Sequence, residues 1–445
     1  MPVESRLIAH PCGPLRGEIE LPGDKSISHR AVIFGALADG VSVIHHLLEG
    51  EDVLRTVAAF RAMGVPIHRD EAGAWCIQGV GIDGLSEPMD ILDMGNSGTG
   101  IRLLAGLLAG QPFFSVLTGD ESLRSRPMRR VAVPLARMGA RLLGRDNSRF
   151  APLAIQGTEL IGIDYISPVA SAQVKTALLL AGLTAAGRTS VTEPALSRDH
   201  TERMLSAFGV EVEQNGLTVA VQGRPRLRGL ELTVPGDISS AAFPMVAALL
   251  VPGSEVTLTG VGINPSRTGL LDLLLEMGAD ITLFNSRAAG GEPVADLRVR
   301  HSRLKGIQVP PEVVPRAIDE FPVFALAAAC AEGETVVTGA EELRVKESDR
   351  IRAIALGLGS QGAWIEELPD GLRIQGRSEG LDGGGIAEAF GDHRVAMTLM
   401  VAGLAARNPV TVSGRANVET SFPGFAETMI GLGGRIERWT GERAS

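Results

Sequence analysis

Ala62-Met63-Gly64-Val65-Pro66-Ile67 ends an apolar helical run at a glycine and opens a short strand of alternating apolar residues. Five later stretches repeat this pattern, and the glycines lie 69–84 residues apart at Gly64, Gly139, Gly209, Gly278, Gly362 and Gly433. A glycine directly after a helix is typical of a left-handed C-terminal cap. A near-constant period of this length predicts six copies of one supersecondary unit.

A longer duplication divides the six copies into two sets of three. The turn Pro22-Gly23-Asp24-Lys25-Ser26 matches Pro235-Gly236-Asp237-Ile238-Ser239, 213 residues later, and an Ala/Leu-rich helix follows each turn. The repetition predicts an α/β (α+β) chain of two similar domains with a boundary near Pro235-Gly236. Because Ile238 stands where the first turn has Lys25, we expect the two halves to share a framework but to carry different functional groups.

Composition excludes several classes of function. The chain has 445 residues, which is too long for one core, and only 4% of them are aromatic. Its formal net charge of −10 and its few aromatic side chains exclude a general nucleic-acid surface, which needs a positive field and stacking groups. Any anion site must therefore be a local group of cations in an acidic protein.

No targeting, membrane or metal signal stands out in the sequence. The apolar runs are shorter than the ~18 residues that a membrane span needs, and the first residues lack the basic and then apolar pattern of a signal peptide. Cys12, Cys76 and Cys330 are isolated, which predicts neither a disulfide framework nor a Cys/His metal cluster. We therefore expect a cytoplasmic chain without a metal or a membrane partner.

Lys25, Ser26 and Arg30 form the first candidate anion site. A Pro-Gly turn leads into a predicted helix from Ser26 to Leu37, and Ser26 and Arg30 lie four residues apart on one face. The start of a helix offers unpaired N–H groups and the positive end of the helix dipole, which favour a phosphate or a carboxylate. The alternative is a capped surface helix with solvated charges.

Four further predicted helix starts carry polar or cationic groups: Gly95–Arg102, Arg124–Met128, Ser171–Lys175 and Arg198–Glu202. The glycines of the first segment allow a ligand to approach the backbone, although a tight strand-to-helix turn would need them as well. Pro127 suits the first helical position, and the cation Arg126 directly before it favours an anion there. Ser171 has a simple alternative role as a helix N-cap.

The second half of the sequence contributes carboxylates as well as cations. Asp319 and Glu320 precede an apolar run, where burial would raise a carboxyl pKa unless a cation lies nearby. The segment Arg344–Arg350 is predicted to begin a helix, with Lys346 and Glu347 spaced to meet Arg350, and an exposed salt-bridge ladder is the alternative. Gly391-Asp392-His393-Arg394 opens a predicted helix from Val395 to Ala406. No Ser-His-Asp or Cys-His arrangement stands out.

Taken in order, these motifs resemble those of the 5-enolpyruvylshikimate-3-phosphate (EPSP) synthase family, from about Leu15 to Glu427. Segments such as Pro22–Arg30 and Leu343–Arg350 look like the bacterial class that includes glyphosate-tolerant enzymes. The resemblance implies the two-domain enolpyruvyl transferase architecture, with three βαβαββ units in each domain. It implies one domain at 22–235, the other at 1–21 plus 236–445, and a hinge near 21–23 and 235–237.

The resemblance also implies the reaction and the site. The family moves the enolpyruvyl group of phosphoenolpyruvate to the 5-hydroxyl of shikimate 3-phosphate and releases phosphate through a tetrahedral ketal, without a cofactor. The two substrates bring roughly −5 to −6 charges, so several cations are needed. By matched position, shikimate 3-phosphate contacts Lys25, Ser26, Arg30, Ser171, Gln173, Arg198, Asp319 and Lys346, and phosphoenolpyruvate contacts Lys25, Gly98, Arg126, Gln173, Arg350 and Arg394.

For the chemistry, the resemblance implies that Asp319 is the base, Glu347 the acid and Lys25 a further proton carrier. We also expect a monomer whose domains close on shikimate 3-phosphate. Two positions depart from the family pattern. Thr420 stands where many relatives have a lysine, and Gly98 stands where glyphosate-tolerant relatives have alanine, which predicts sensitivity to glyphosate.

Two other functions are compatible with parts of this pattern. The sister transferase that acts on UDP-N-acetylglucosamine usually carries an asparagine after the early lysine, where this chain has Ser26, and a cysteine on a mobile loop. A non-catalytic binding protein built on the same repeats would have lost at least one of the charged groups. Apart from Thr420, the matched set is intact.

Overall fold

The computed structural model describes residues 6–413 and 415–439, and the chain divides into two compact units. Residues 23–235 and 288–292 form the N-terminal unit, and the described parts of 1–22, 236–287 and 293–445 form the C-terminal unit. Relative to the expected division, the five residues Ala288–Glu292 group with the N-terminal unit. They are the tip of a long hairpin formed by the strands Asp280–Ala289 and Glu292–Arg300.

The described residues form short strands and mostly short helices. In chain order the strands are β1 Arg6–His10, β2 Arg16–Glu20, β3 Asp39–His45, β4 Ile67–Arg69, β5 Trp75–Val80, β6 Leu92–Asp93, β7 Phe114–Thr118, β8 Arg141–Gly144, β9 Phe150–Gln156, β10 Asp164–Ile166, β11 Arg188–Thr192, β12 Val212–Asn215, β13 Thr218–Gln222, β14 Glu231–Thr233, β15 Glu255–Gly262, β16 Asp280–Ala289, β17 Glu292–Arg300, β18 Glu334–Val337, β19 Trp364–Leu368, β20 Gly371–Gln375, β21 Ile386–Ala387, β22 Val410–Val412 and β23 Arg435–Trp439.

The α-helices are α1 Lys25–Leu37, α2 Glu51–Ala62, α3 Gly98–Leu108, α4 Glu121–Ser125, α5 Arg129–Arg137, α6 Arg145–Ser148, α7 Ala172–Thr184, α8 His200–Ala207, α9 Ile238–Leu250, α10 Gly269–Glu276, α11 Val314–Ala317, α12 Phe321–Ala329, α13 Arg350–Gly359, α14 His393–Ala405 and α15 Phe425–Gly431. Two 3₁₀ helices span Glu341–Val345 and Arg415–Thr420. Among the described residues, no helix combines the length and the apolar character needed to cross a membrane.

Each unit contains three sheets built on one plan. In the N-terminal unit the strand orders are β14-β3-β5-β4, β6-β7-β9-β8 and β10-β11-β13-β12. In each sheet the first pair is parallel and the other two pairs are antiparallel. The first sheet is completed by β14, which lies at the far end of the unit's sequence.

The C-terminal unit follows the same plan with two differences, one in its middle sheet and one in the sheet that contains β1. Its strand orders are β16-β17-β15-β2, β18-β20-β19 and β21-β22-β1-β23. The middle sheet has two isolated parallel bridges, Lys305 to Glu332 and Gln308 to Val336, where the other sheets have a first strand. Strand β1 lies between β22 and β23 and pairs antiparallel with both.

The six repeated glycines end six helices, as the sequence predicted. Helices α2, α5, α8, α10, α13 and α15 are followed by Gly64, Gly139, Gly209, Gly278, Gly362 and Gly433, whose φ angles are 87°, 99°, 86°, 92°, 94° and 101°. A side chain strains the backbone in this left-handed region, which explains why glycine recurs there.

Six other helices form the cores of the two units. Helices α1, α3 and α7 are almost entirely buried in the N-terminal unit, and α9, α12 and α14 in the C-terminal unit. They are apolar on nearly every side, as a helix surrounded by protein must be. Each begins after a polar or acidic residue, in turn Asp24, Ser97, Ser171, Asp237, Glu320 and Asp392. The polar groups of the sequence are therefore concentrated at the N-terminal ends of buried helices.

Two predicted helix starts were wrong. Helix α5 begins at Arg129, so Pro127 precedes the helix by two residues instead of occupying its first position. Helix α13 begins at Arg350, because Asp349 accepts a hydrogen bond from the Arg352 amide and caps it there. Lys346 and Glu347 consequently lie in the loop before α13 and not on the helix.

Candidate functional site

Lys25 is the first residue of α1 and is fixed by a neighbouring helix. Asp24 caps α1 by accepting a hydrogen bond from the Ile27 amide. The Lys25 Nζ lies 3.0 Å from Oδ2 of Asp52 in the first turn of α2. The two side chains are 17% and 12% exposed, so the ammonium is held in place and can still be reached by a ligand. The sequence analysis did not single out Asp52, because acidic residues are common in the first turn of any helix.

Arg30 is buried, which excludes the alternative of a solvated surface helix. Its Nη1 donates to the Ser26 carbonyl at 2.8 Å, Nε to the Thr201 hydroxyl at 2.7 Å and Nη2 to the Thr176 hydroxyl at 2.8 Å. Burial lowers the pKa of Arg30 to about 10, so the guanidinium remains protonated at neutral pH. These bonds join the start of α1 to α7 and α8.

Two guanidinium groups converge on Gly98, the first residue of α3. A methyl group placed on Gly98 would lie 2.9 Å from Nη1 of Arg126 and 3.0 Å from Nη1 of Arg102. Arg102 donates to the Gly98 carbonyl at 3.0 Å, and Arg126 donates to Oδ1 of Asn96 at 2.6 Å. Two positive charges beside a helix N-terminus and an absent side chain form a pocket suited to an anion.

Gln173 joins this pocket from the first turn of α7. Its Oε1 accepts from Nη1 of Arg102 at 2.8 Å, and its Nε2 donates to the Thr99 hydroxyl at 3.0 Å. The structure therefore brings together Gly98, Arg126 and Gln173, which were predicted, with Arg102, which was not. Arg102 ends the glycine-rich segment Gly95–Arg102, but its position in the sequence does not distinguish it from an exposed arginine.

Ser171 and Arg198 lie just before α7 and α8. Ser171 occupies the N-cap position of α7, yet its side chain makes no capping hydrogen bond. Its amide donates to Oε1 of Glu193 at 2.8 Å. Arg198 precedes Asp199 and the first residue of α8, His200. The simple capping role considered for Ser171 is therefore not the one that the structure has.

Arg350 is the centre of the candidate site in the C-terminal unit. Its side chain is fully buried and donates to three carboxylates: Nε to Asp392 at 2.8 Å, Nη1 to Asp319 at 3.3 Å and Nη2 to Glu347 at 2.5 Å. Burial alone would lower the pKa of Arg350, but the carboxylates outweigh it and raise the pKa above its usual value. A buried cluster of this kind excludes the exposed salt-bridge ladder.

Asp392 also fixes α14, the helix that carries Arg394. Its Oδ1 accepts from the amides of Arg394 and Val395, which caps the helix. Burial by itself would raise the pKa of Asp392, yet the Arg350 guanidinium holds that pKa below its usual range. Asp392 thus joins the Arg350 cluster to the start of α14.

Lys346 completes this set from the loop before α13. Its Nζ lies 3.8 Å from Oδ1 of Asp319, and burial lowers the pKa of Lys346 although Asp319 opposes the change. Thr420, the position without the expected lysine, ends the 3₁₀ helix Arg415–Thr420. The C-terminal unit therefore gathers Asp319, Lys346, Glu347 and Arg350, all of which were predicted.

The fold places the chain in a class. The enolpyruvyl transferase NikO of Streptomyces tendae superposes with a TM-score of 0.80 over 99% of this chain and 100% of that chain, at 19% identity. This match shows an enolpyruvyl transferase fold. At higher identity, an EPSP synthase from Acinetobacter baumannii matches with a TM-score of 0.88 and 49% identity, over 98% of this chain and all of that one.

Sequence comparison gives the family. The family model described as EPSP synthase (3-phosphoshikimate 1-carboxyvinyltransferase) matches residues 9–429. A 3-phosphoshikimate 1-carboxyvinyltransferase from Magnetococcus marinus is 62% identical over 423 residues, 95% of each chain, and one from Citrifermentans bemidjiense is 57% identical over 422 residues, covering 95% of this chain and 98% of that one. The chain belongs to the EPSP synthase family. The predicted family, fold class and transferase function are confirmed, and the UDP-N-acetylglucosamine alternative is not favoured.

Proposed function

We propose that this chain transfers the enolpyruvyl group of phosphoenolpyruvate to the 5-hydroxyl of shikimate 3-phosphate, using the residues described above. The observation that carries the proposal is the pocket at Gly98. Here Arg102 and Arg126 both lie 2.9–3.0 Å from the position that a methyl group would take, which is closer than van der Waals contact allows. A phosphate or carboxylate there would meet two guanidinium groups and the start of a helix.

Shikimate 3-phosphate binding is assigned to groups at helix starts. Lys25, Ser26, Ser171, Gln173 and Arg198 supply cations and hydrogen-bonding groups from the N-terminal unit, and the same proposal includes Asp319 and Lys346. Arg30 belongs to the same set. Its hydrogen bonds to Ser26, Thr176 and Thr201 fix the position of the guanidinium and use three of its five N–H donors.

Phosphoenolpyruvate binding is assigned to the Gly98 pocket and the Arg350 cluster. Gly98, Arg126, Gln173 and the shared Lys25 form one part of this set, and Arg350 and Arg394 form the other. We add Arg102, because its guanidinium contacts both the Gly98 carbonyl and Gln173.

The acid–base chemistry is assigned to Asp319 and Glu347. Asp319 takes the proton of the 5-hydroxyl as that oxygen bonds to C2 of phosphoenolpyruvate, and Glu347 gives a proton to C3. The resulting tetrahedral ketal phosphate then loses phosphate, and the Glu347 carboxylate takes a proton back from the methyl group, which restores the double bond. Lys25 is a further carrier of protons in this scheme.

The Arg350 cluster sets a condition on this chemistry. Arg350 contacts both Asp319 and Glu347. An anionic substrate on Arg350 competes with these carboxylates for its N–H groups, which couples phosphoenolpyruvate binding to the position of Glu347.

Phosphate release from phosphoenolpyruvate tests the function directly. We expect release that depends on shikimate 3-phosphate, with the enolpyruvyl ether detected by mass spectrometry in equal amount. Release that proceeds without shikimate 3-phosphate, or none with both substrates present, would contradict the proposal.

Gly98→Ala tests the pocket. The added methyl group must displace Arg126 or Arg102, so we expect KM for phosphoenolpyruvate to rise by about 10-fold, the equivalent of ~1.4 kcal/mol, with KM for shikimate 3-phosphate little changed. Glyphosate inhibition should weaken in the variant relative to a sensitive parent. Gly359→Ala, at a position where nothing lies within 4 Å of the added methyl group, is the matched control.

An equal rise in both KM values after Gly98→Ala would contradict the pocket assignment. Weak and equal glyphosate inhibition of parent and variant would contradict the predicted sensitivity. The cytoplasmic location, the monomeric state, the absence of nucleic-acid partners and the domain bounds with their hinge stay predictions. Size-exclusion chromatography with light scattering tests the monomeric state.

A further inference from the structure

A buried ion cluster in the N-terminal unit lies behind two of the assigned substrate-binding segments. The Lys175 Nζ on α7 is 3.0 Å from Oε2 of Glu193 and 2.7 Å from Oε1 of Glu202 on α8. The three side chains are only 3–4% exposed. Burial alone would lower the pKa of Lys175, but Glu202 and Glu193 raise it above its usual value, so the ammonium stays charged.

Glu193 is the member of this cluster that reaches the substrate-binding segments. It follows β11, and its Oε1 accepts the hydrogen bond from the Ser171 amide at 2.8 Å. Its Oε2 accepts from the Ser197 hydroxyl at 2.7 Å, and Ser197 directly precedes Arg198. One buried carboxylate therefore holds the residue before α7 and the loop before α8.

The neighbouring Arg30 contacts make this arrangement rigid. Thr176 follows Lys175 on α7 and Thr201 precedes Glu202 on α8, and the two hydroxyls are 2.6 Å apart. Arg30 donates to both hydroxyls. Helices α7 and α8 are thus joined by two adjacent buried polar contacts, and Glu193 extends the connection to the loops in front of them.

We propose that Glu193 is a positioning residue for shikimate 3-phosphate, which it does not touch, and that it acts by fixing the Ser171 and Ser197–Arg198 segments in their binding geometry. This inference rests on the proposed function, which assigns Ser171 and Arg198 to that substrate. A segment fixed before the ligand arrives loses less conformational entropy on binding. The position requires a carboxylate. The Ser171 amide, the Ser197 hydroxyl and the Lys175 ammonium all donate hydrogen bonds, and an ionised carboxylate can accept from all three.

A purely structural role for the cluster predicts a different result. A buried ion pair that only joined α7 to α8 would affect the stability of the unit and leave the affinity for each substrate unchanged. The positioning role predicts a selective loss of affinity for shikimate 3-phosphate. Phosphoenolpyruvate is the internal reference, because Glu193 accepts hydrogen bonds from Ser171 and Ser197, which are not assigned to that substrate.

Ser197→Ala removes one hydrogen bond to Glu193 and leaves the ion cluster intact. We expect KM for shikimate 3-phosphate to rise about 10-fold, the size of effect typical of one hydrogen bond to a charged group, with kcat and KM for phosphoenolpyruvate changed less than 2-fold. Ser197→Thr keeps the hydroxyl and should restore KM to within about 2-fold of the parent. An unchanged KM for shikimate 3-phosphate in Ser197→Ala, a parallel rise in both KM values, or no rescue by threonine would overturn the proposal.

Glu193→Gln is the second variant, because its amide group places a donor where Lys175 and Ser197 also donate. We expect a larger selective rise in KM for shikimate 3-phosphate, about 30- to 100-fold, and calorimetric titration of that substrate alone should show the same loss. Glu213→Gln on β12 is the matched control, since Glu213 is 60% exposed and pairs with Arg188 in the same sheet. If Glu193→Gln does not fold, the comparison of Ser197→Ala with Ser197→Thr decides between the positioning role and the structural role.

The parent enzyme separates failure of this inference from failure of the proposed function. Phosphate release by the parent that depends on shikimate 3-phosphate establishes the function independently of Glu193. With that activity present, unselective or absent effects in the Ser197 and Glu193 variants overturn the positioning role alone.

Discussion

Asp319→Asn is expected to lower kcat by about 10²- to 10⁴-fold, the usual contribution of a general base. Asparagine has nearly the same shape as aspartate and can still accept the hydrogen bond from Nη1 of Arg350, which the carboxylate accepts at 3.3 Å in the parent. The substitution therefore removes the proton acceptor and keeps the geometry of the cluster. Steady-state kinetics and calorimetric titration of both substrates should show a large loss in kcat with binding largely retained.

Asp272→Asn is the matched control in the same unit. Asp272 lies on α10, is 48% exposed and pairs with Arg316, so the same chemical change there should leave kcat unaltered. A fall of less than 5-fold in Asp319→Asn would exclude Asp319 as the base. If kcat stayed normal while shikimate 3-phosphate binding was lost, Asp319 would be a binding residue only.

Asp392→Ala is expected to destabilise the protein by about 3–5 kcal/mol, because it removes one partner of a buried charge pair. The carboxylate is fully buried, accepts from Nε of Arg350 at 2.8 Å and caps α14. Its loss leaves Arg350 with two carboxylates in place of three and leaves two amides at the start of the helix without their acceptor. Urea unfolding followed by circular dichroism measures the change.

The destabilisation should depend on pH in a defined direction. The pKa of Asp392 is held below its usual value by Arg350, so the carboxylate contributes stability above its unfolded pKa of ~3.9. This contribution is lost as the pH falls from there through the lower folded pKa. The difference between parent and Asp392→Ala should therefore be constant from pH 5 to 8 and become smaller below ~pH 4.

Asp382→Ala is the comparison for a surface pair in the same unit. Asp382 is 49% exposed and pairs with Arg377 and Arg407, so solvent should replace its contacts with little change in the unfolding midpoint. If Asp392→Ala and Asp382→Ala were equally stable, the Arg350 cluster would contribute no more than a surface ion pair. The central place that we give to Asp392 would then be wrong.

The repeat and the polar starts of the buried helices could be predicted because local sequence determines both. A left-handed cap requires glycine, so Gly64 and its five counterparts identify the helix ends directly. Polar residues ahead of Ala/Leu-rich runs identified the starts of the buried helices in the same way. Spacing along the chain was less reliable. Glu347 does contact Arg350, but from the loop before the capped start of α13, and Lys346 in the same loop lies near Asp319.

Burial and long-range partners could not be predicted from the sequence. Nothing local distinguishes Arg30, which is 2% exposed, from a surface arginine, because its partners Thr176 and Thr201 are 146 and 171 residues away. Asp52 and Arg102 were missed for the same reason. Glu193 has no motif at all, and only the fold shows that its carboxylate joins two loops.

The pairing of β1 has a consequence for the order in which the protein folds during synthesis. β1 spans Arg6–His10, and its partners among the described strands are β22 and β23, which end at Val412 and Trp439. Residues 6–10 must therefore wait until residues 410–412 have been made before they enter this sheet. The N-terminal unit has all but the hairpin tip of its residues once Pro235 has been made, so it can assemble on the ribosome while β1 is still unpaired.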